Sequence, residues 1–451
     1  MGRGLPAETV PLGRPNRSLA PALTRPARNP AVRRYFGTDG VRGVVGEDLT
    51  PELVERLGRA AALWSGRGRV FIGRDTRGSG PMLEDAFAEG VASVGGNAVL
   101  GGVLPTPAVA LLSLDLGTVV SASHNPPEYN GIKFFDGAGQ KLTDASEEEI
   151  EALLDEPARG QRGAIDRIGV AADSYTEHVL DRFGSPLEGL EVAVDCANGA
   201  YSGIAPSAFE RLGADVTAFA DTPDGTNINV GCGATDLSLL QERVVKGGAD
   251  LGVAFDGDGD RMLAVDGDGR MVDGDQILAI LALHLQVDTV VVTVMTNLGF
   301  HRLMADNGIR VVTTDVGDRY VLEALRREDA ILGGEQSGHL ICLDGHVTGD
   351  GLAAALLLCH ALEGRTLAEA AAVMPRFAQV KENLPVQVRE LPNDLLAEVQ
   401  SVNRELDGGA RVLVRPSGTE PLVRILAEAE NEQEAASLCA RISALVRREL
   451  G

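Results

Sequence analysis

Three aspartates separated by single glycines, Asp256, Asp258 and Asp260, follow the apolar run Leu251–Phe255 and precede Arg261. Carboxylates crowded this closely repel one another, and a cation offsets that repulsion. A donor set made only of oxygen selects a hard cation, Mg²⁺ or Ca²⁺. An EF-hand loop is excluded, because the places that need Gly and the closing Glu hold Arg261 and Gly267. The plain alternative is a solvated Asp-Gly turn. Asp266-Gly-Asp-Gly269 shows that alternative: it lacks the third Asp and the Arg, and reads as a hairpin turn between Met262–Val265 and Met271–Val272.

Three further segments carry candidate chemistry. After Val119 and Val120 come Ser121, Ser123, His124 and Asn125, then Pro126 and Pro127, and the chain resumes at Tyr129–Phe135. Small residues stiffened by proline expose a hydroxyl, so this Ser is a candidate nucleophile or phosphoryl carrier, with a simple turn as the other reading. No G-x-S-x-G elbow surrounds it, which disfavours an α/β-hydrolase triad. In Leu332–His339, a Gly-rich loop sets Glu335, Ser337 and His339 at alternate positions, a spacing that suits vicinal sugar hydroxyls; a polar turn is the default. In Val412–Pro421, a strand ends in Arg415 and is followed by Ser417, Gly418 and Thr419, with Arg424 beyond. A guanidinium fork, two hydroxyls and backbone N–H groups suit a phosphate dianion. The segment is not a Walker loop, and Gly73–Gly80 resembles a dinucleotide fingerprint only in glycine content. Together the four segments make up a reaction: a hard metal, a loop hydroxyl, a sugar-reading loop and a phosphate clamp, enclosed in a cleft that excludes water.

The elements that must position these groups alternate between helix and strand. Thr50 caps a helix over Pro51–Trp64; Val70–Ile72 reads as a strand, Pro81–Gly90 as a helix and Ala98–Leu100 as a strand. Such alternation predicts mostly parallel α/β sheets. A helix–Gly–strand unit recurs around Gly95, Gly213 and Gly308, which suggests three related α/β domains. New strand-first units open near residues 187 and 287. A last stretch, with strands at Val386–Arg389, Arg411–Val414 and Leu422–Ala427 and a helix at Gln433–Leu450, reads as a small α+β domain. The expected division is therefore 1–34, 35–186, 187–286, 287–377 and 378–451. Residues 1–34 hold six prolines and seven arginines against one acid, Glu8, and lack the apolar core of a secretory signal. They read as a disordered basic extension.

Composition narrows the function. The longest apolar run, Leu352–Leu358, falls far short of the ~20 residues that span a bilayer. A net charge of −24 opposes unspecific binding to nucleic acid or anionic lipid. Aromatic residues make up only 4%, too few for base-stacking platforms. Five scattered cysteines without C-x-x-C spacing predict neither disulfides nor zinc, but reduced thiols in the cytoplasm.

Ser121–Pro126, Asp256–Arg261, Gly334–His339 and Arg415–Pro421 occur in this order in the α-D-phosphohexomutases, and the resemblance covers residues 34–451. Tyr35–Gly43 and Gln336 are similar to the bacterial phosphoglucosamine mutase branch. The resemblance implies three α/β domains and a C-terminal TATA-binding-protein-like α+β domain around one cleft. It implies that Ser123 carries a phosphoryl group and that one Mg²⁺ is held by Asp256, Asp258, Asp260 and Ser123. It implies that glucosamine 6-phosphate and glucosamine 1-phosphate interconvert through glucosamine 1,6-bisphosphate, in the service of UDP-N-acetylglucosamine and peptidoglycan synthesis. Arg261 would neutralise the transferring group. Arg415, Ser417, Gly418, Thr419 and Arg424 would hold the other phosphate, and Glu335 and Ser337 the 3- and 4-hydroxyls. Arg42, Lys133 and His339 are unranked acid/base candidates, and His124 would orient the loop. The partner is a phosphosugar, with a homodimer compatible. The competing readings are a phosphoglucomutase or phosphomannomutase, and a metal-dependent phosphosugar phosphatase.

Overall fold

Local chemistry starts the elements where the chain calls for them. The computed structural model describes residues 34–37, 39–386, 391–416 and 421–450. The helix Pro51–Trp64 begins with Pro at its first position, where a missing N–H costs nothing, and the Thr50 hydroxyl accepts from Leu53 N at 3.3 Å. The three repeated units are present as Gly80–Ser93 to Asn97–Val103, Ala205–Arg211 to Asp215–Phe219, and Leu298–Asp306 to Arg310–Thr314. In each, the linking glycine takes a left-handed φ (+92°, +96° and +71° at Gly95, Gly213 and Gly308).

Four sheets result. The first runs Val41–Val44, Tyr129–Asp136, Leu116–Val120, Arg69–Arg74, Asn97–Val103, Ile165–Arg167. The second runs Met271–Val272, Met262–Asp266, Leu251–Phe255, Glu191–Asp195, Asp215–Phe219. The third runs Arg310–Thr314, Thr289–Thr293, Leu332–Gly334, Leu340–Cys342. The fourth is antiparallel throughout, with Leu422–Ala429 between Ala378–Pro385 and Arg411–Pro416. The helices Asn393–Glu405 and Glu432–Leu450 contribute to its core through Leu395, Val399, Leu438 and Ile442.

Together the first three sheets carry mostly parallel ladders, as expected, but each also contains an antiparallel return. In each, one central strand turns back antiparallel beside itself: Leu116–Val120 against Tyr129–Asp136, Leu251–Phe255 against Met262–Asp266, and Leu332–Gly334 against Leu340–Cys342. The connecting loops, 121–128, 256–261 and 335–339, are too short for a crossover, which needs a dozen or more residues. These hairpin loops are the three chemistry-bearing segments of the α/β units. The strand expected at Val386–Arg389 is instead Ala378–Pro385; Val386 lies outside it, and residues 387–389 lie outside the described residues. The alternation in Ala378–Pro385 is weak, with Leu384 its one buried position, which hid it from a pattern search. The extension 1–33 also lies outside the described residues.

A large core joins the three α/β units, and the apolar run Leu352–Leu358 is buried in it, within the helix Gly351–Leu362. Among the described residues no helix is long and apolar enough to cross a membrane. All five cysteines are free and buried.

Candidate active site

The strand Leu251–Phe255 is buried along its whole length and delivers Asp256 to its end, with Asp258 and Asp260 on the return loop. All three carboxylates are buried, and each offers an oxygen within 4.8 Å of the others. Asp258 Oδ2 accepts from Lys133 Nζ at 2.8 Å and from Thr106 Oγ1 at 2.6 Å. Asp258 Oδ1 and Asp260 Oδ1 are buried without a hydrogen-bond partner. Burial and the neighbouring Asp260 and Asp258 charges push the Asp256 carboxyl well above the usual range. Burial also pushes Asp260 up, but Lys133, His339 and Arg261 outweigh it and hold that carboxyl well below. Orphaned buried carboxylate oxygens in an all-oxygen donor set fit a hard divalent cation.

The Ser loop meets this triad directly. Ser123 Oγ donates to Asp256 Oδ2 at 2.5 Å and lies 3.2 Å from His124 Nδ1. Burial and the charges of Arg261 and Arg42 lower His124 to about 4, so the imidazole is neutral at pH 7. Ser123 itself has a left-handed φ of 53°, a strained conformation for a residue with a side chain. The structure separates the two serines. Ser121 Oγ is fully buried, donates to Asp75 Oδ2 at 2.6 Å and accepts from Ser123 N at 2.9 Å, so it braces the loop.

The strain at Ser123 is held by a clamp that sequence reasoning missed. Arg77 is fully buried, and its guanidinium donates to the carbonyls of Ser123 (2.9 Å), Asn125 (2.8 Å), Tyr129 (2.9 Å) and Pro126. Asp75 neutralises it at 2.9 Å. From the second unit, Asn229 Nδ2 donates to Ser123 O at 2.9 Å. Gly257 leaves room for this meeting of loops, since a Cβ there would lie 2.7 Å from Ser123 O and 2.8 Å from Asn229 Nδ2. Gly257→Ala is therefore expected to cost about 1–3 kcal/mol of stability by overpacking. It should also lower turnover by parting Ser123 from Asp256, measured by thermal unfolding and steady-state assay.

Ser123, His124, Arg42, Asp260, Arg261, Glu335, Ser337 and His339 line one cavity of about 450 Å³. Lys133 sits behind it, 2% exposed, with Nζ 2.8, 3.4 and 3.3 Å from Asp258, Asp260 and Asp39. Burial disfavours its charge, yet these three carboxylates raise it and keep it protonated. His339 Nδ1 lies 3.7 Å from Asp260 Oδ1, and its Nε2 lies 3.5 Å from Asp318 Oδ2. Burial lowers its imidazole, but the two aspartates outweigh that and raise it. Arg42 pairs with Asp39 and donates to Ala122 O at 3.4 Å. Glu335 is anchored by Gly317 N at 2.9 Å, whereas Ser337 is exposed. Gln336 turns away from the cavity, donating to Asp275 Oδ2 at 3.2 Å.

The fourth unit docks on the third, where Arg411 donates to Thr296 O at 2.8 Å and Leu298 N to Glu428 Oε1 at 3.2 Å. Arg415 and Arg424 pair across neighbouring strands and line a separate cavity of about 350 Å³. Ser417, Gly418 and Thr419 lie outside the described residues. Also unforeseen is a set of charges bridging the first and third units: Lys141 to Asp39 and Asp318, and Arg319 to Glu147 (2.8 Å) and Asp144. Only the pairing Asp75-x-Arg77 directly after a strand offered a signal, and nothing local marked its partners.

The geometry can be set beside known proteins. Four family descriptions match in chain order: "Phosphoglucomutase/phosphomannomutase, alpha/beta/alpha domain I" over residues 33–160, domain II over 173–269, domain III over 273–377, and the C-terminal domain over 362–445. The chain is 48% identical over 433 residues to the phosphoglucosamine mutase of Moorella thermoacetica, covering 90% of this chain and 98% of that one. It is 49% identical over 438 residues to the phosphoglucosamine mutase of Pelotomaculum thermopropionicum, covering 91% and 98%. Among solved structures it matches a phosphoglucomutase/phosphomannomutase family protein from Burkholderia thailandensis with a TM-score of 0.79, at 25% identity and covering 92% of this chain and 96% of that one.

Proposed function

This chain belongs to the phosphoglucomutase/phosphomannomutase family, and from that premise we propose that it interconverts glucosamine 6-phosphate and glucosamine 1-phosphate through a phosphoserine at Ser123. The phosphoryl group passes from Ser123 Oγ to the sugar O1, giving glucosamine 1,6-bisphosphate. The bisphosphate reorients, its 6-phosphoryl group passes back to Ser123 Oγ, and glucosamine 1-phosphate leaves. Each half-reaction breaks one P–O bond and forms another, so the protein ends as it began. The observation that carries this reading is the 2.5 Å contact between Ser123 Oγ and buried Asp256 Oδ2, with Ser123 lining the same cavity as Arg42 and Arg261. The glucosamine preference rests on the relatives named above.

Asp256, Asp258 and Asp260 would hold one Mg²⁺, with a phosphate oxygen on Ser123 completing the set; bound there, it supplies charge stabilisation to the transferring group. Phosphoryl transfer asks chiefly for positioning and charge. Arg261 and Arg42 meet the transferring phosphate. Glu335 and Ser337 hold the sugar hydroxyls. His339, which lines the cavity, exchanges the proton with the reacting hydroxyl, while Lys133 stays charged and steadies Asp258. Arg415 and Arg424, with Ser417, Gly418 and Thr419, hold the phosphate that is not in transit. Because those two arginines line a separate cavity, this clamp requires the fourth unit to swing toward the Ser loop.

The test is an assay of purified protein with Mg²⁺ and each of glucosamine, glucose and mannose 6-phosphate, following 1-phosphate formation. Glucosamine 6-phosphate should lead in kcat/KM by about tenfold or more, the lower end of what a difference of one small substituent commands. Its being the poorest of the three would overturn the sugar assignment. Net release of inorganic phosphate would mark a phosphatase instead.

A further inference from the structure

Behind the metal loop lies a buried polar cluster that the reaction above does not use. The Asp350 carboxylate takes the Tyr175 hydroxyl at 2.8 Å on Oδ2 and the Tyr201 hydroxyl at 2.9 Å on Oδ1. The two hydroxyls lie 2.7 Å apart. His346 Nε2 stands 3.0 Å from Oδ2. Tyr175, Tyr201 and Asp350 are at most 2% exposed. They come from three places in the chain: the helix Ala171–Phe183, the turn before Ala205–Arg211, and the cap of Gly351–Leu362.

Two contacts lead from this cluster to one atom group, Gly259, which separates Asp258 from Asp260. The Tyr201 ring lies against Gly259 Cα, since a Cβ there would sit 2.3 Å from ring atom Cε2. On the other side, the Gly259 carbonyl accepts from Gly351 N at 3.0 Å. Gly351 is the first residue of the helix that Asp350 caps, with Oδ1 accepting from Ala353 N at 2.9 Å. One carboxylate thus holds both things that grip Gly259. That glycine has a left-handed φ of +75°, so its two flanking aspartates are set by a backbone turn that depends on outside support. Burying a carboxylate with this many polar partners costs desolvation that an apolar filler would not, so geometry rather than bulk stability is what the cluster supplies.

We propose that Asp350, acting through Tyr201 and Gly351, is a positioning residue that sets the spacing of Asp258 and Asp260 and thereby the affinity of the loop for a divalent cation. The inference rests on the reading of the three aspartates as a metal site.

Mn²⁺ binding to the full chain, measured by calorimetry and by loss of the free-ion electron paramagnetic resonance signal, tests it. Tyr201→Phe keeps the ring and removes the hydroxyl. Its Mn²⁺ dissociation constant should rise about tenfold, the scale seen when groups supporting metal ligands are removed. At saturating Mn²⁺ its KM for sugar phosphate should match that of the unchanged protein. Asp350→Asn should shift binding in the same direction; if it fails to fold, Tyr201→Phe decides. Tyr201→Phe binding Mn²⁺ as the unchanged protein does, while melting at a lower temperature, would reduce the cluster to a structural brace and overturn the proposal. No Mn²⁺ binding by the unchanged protein would overturn the metal reading as well.

Discussion

Ser123→Ala is expected to lower mutase turnover by about 10⁴-fold or more, the scale on which removal of a covalent nucleophile is felt. The loss is chemical and not conformational. Arg77 and Asn229 grip the loop through backbone carbonyls, which Ala leaves in place. The side chain gives up one hydrogen bond to Asp256, worth about 0.5–1.5 kcal/mol. Ser121 cannot take over, because its hydroxyl is fully buried and committed to Asp75. Intact-mass analysis should find one phosphate on the unchanged protein and none on the variant, with nearly equal melting temperatures. Retained turnover, with no phosphate on the unchanged protein, would remove Ser123 as the phosphoryl carrier.

Asp258→Asn should cost turnover on the order of 10³-fold, the several kcal/mol that a metal's charge supplies to a transferring group. Asn keeps the volume and one carbonyl oxygen, and it can still accept from Thr106. It removes the charge and the orphaned oxygen that fits a cation. Lys133 keeps two carboxylate neighbours, Asp39 at 3.3 Å and Asp260 at 3.4 Å, so the fold should hold. The check is turnover across a Mg²⁺ titration together with circular dichroism. Near-normal turnover at ordinary Mg²⁺ would contradict the metal assignment.

The parts of this site that were legible in the sequence are those whose atoms are close in the chain. Asp256, Asp258 and Asp260 alternate within one loop, so their shared charge problem is visible without any fold. The hairpin at Asp266–Gly269 is legible for the same reason, since turn chemistry is local. What the sequence hid is assembled across distance. Arg77 reaches carbonyls about fifty positions away, and a buried arginine looks the same in sequence as an exposed one. Asn229, Lys141 and Asp318 gain meaning only when separate units meet. The mostly parallel sheets were legible because helix–strand alternation dominates the count, while the antiparallel return in each is written only in loop length. Gln336 was marked by resemblance, yet its amide serves Asp275 and Gln379 instead of the cavity.

The clamp on the Ser loop has a mechanical corollary. Four carbonyls on one guanidinium, a second grip from Asn229 and a glycine too crowded to accept a methyl make residue 123 a stator. A stator cannot chase its cargo. On the proposed reaction, the half-turn between the two transfers has to be made by the sugar, and the fourth unit, held by none of these contacts, is the rotor housing that lets it tumble without letting it go.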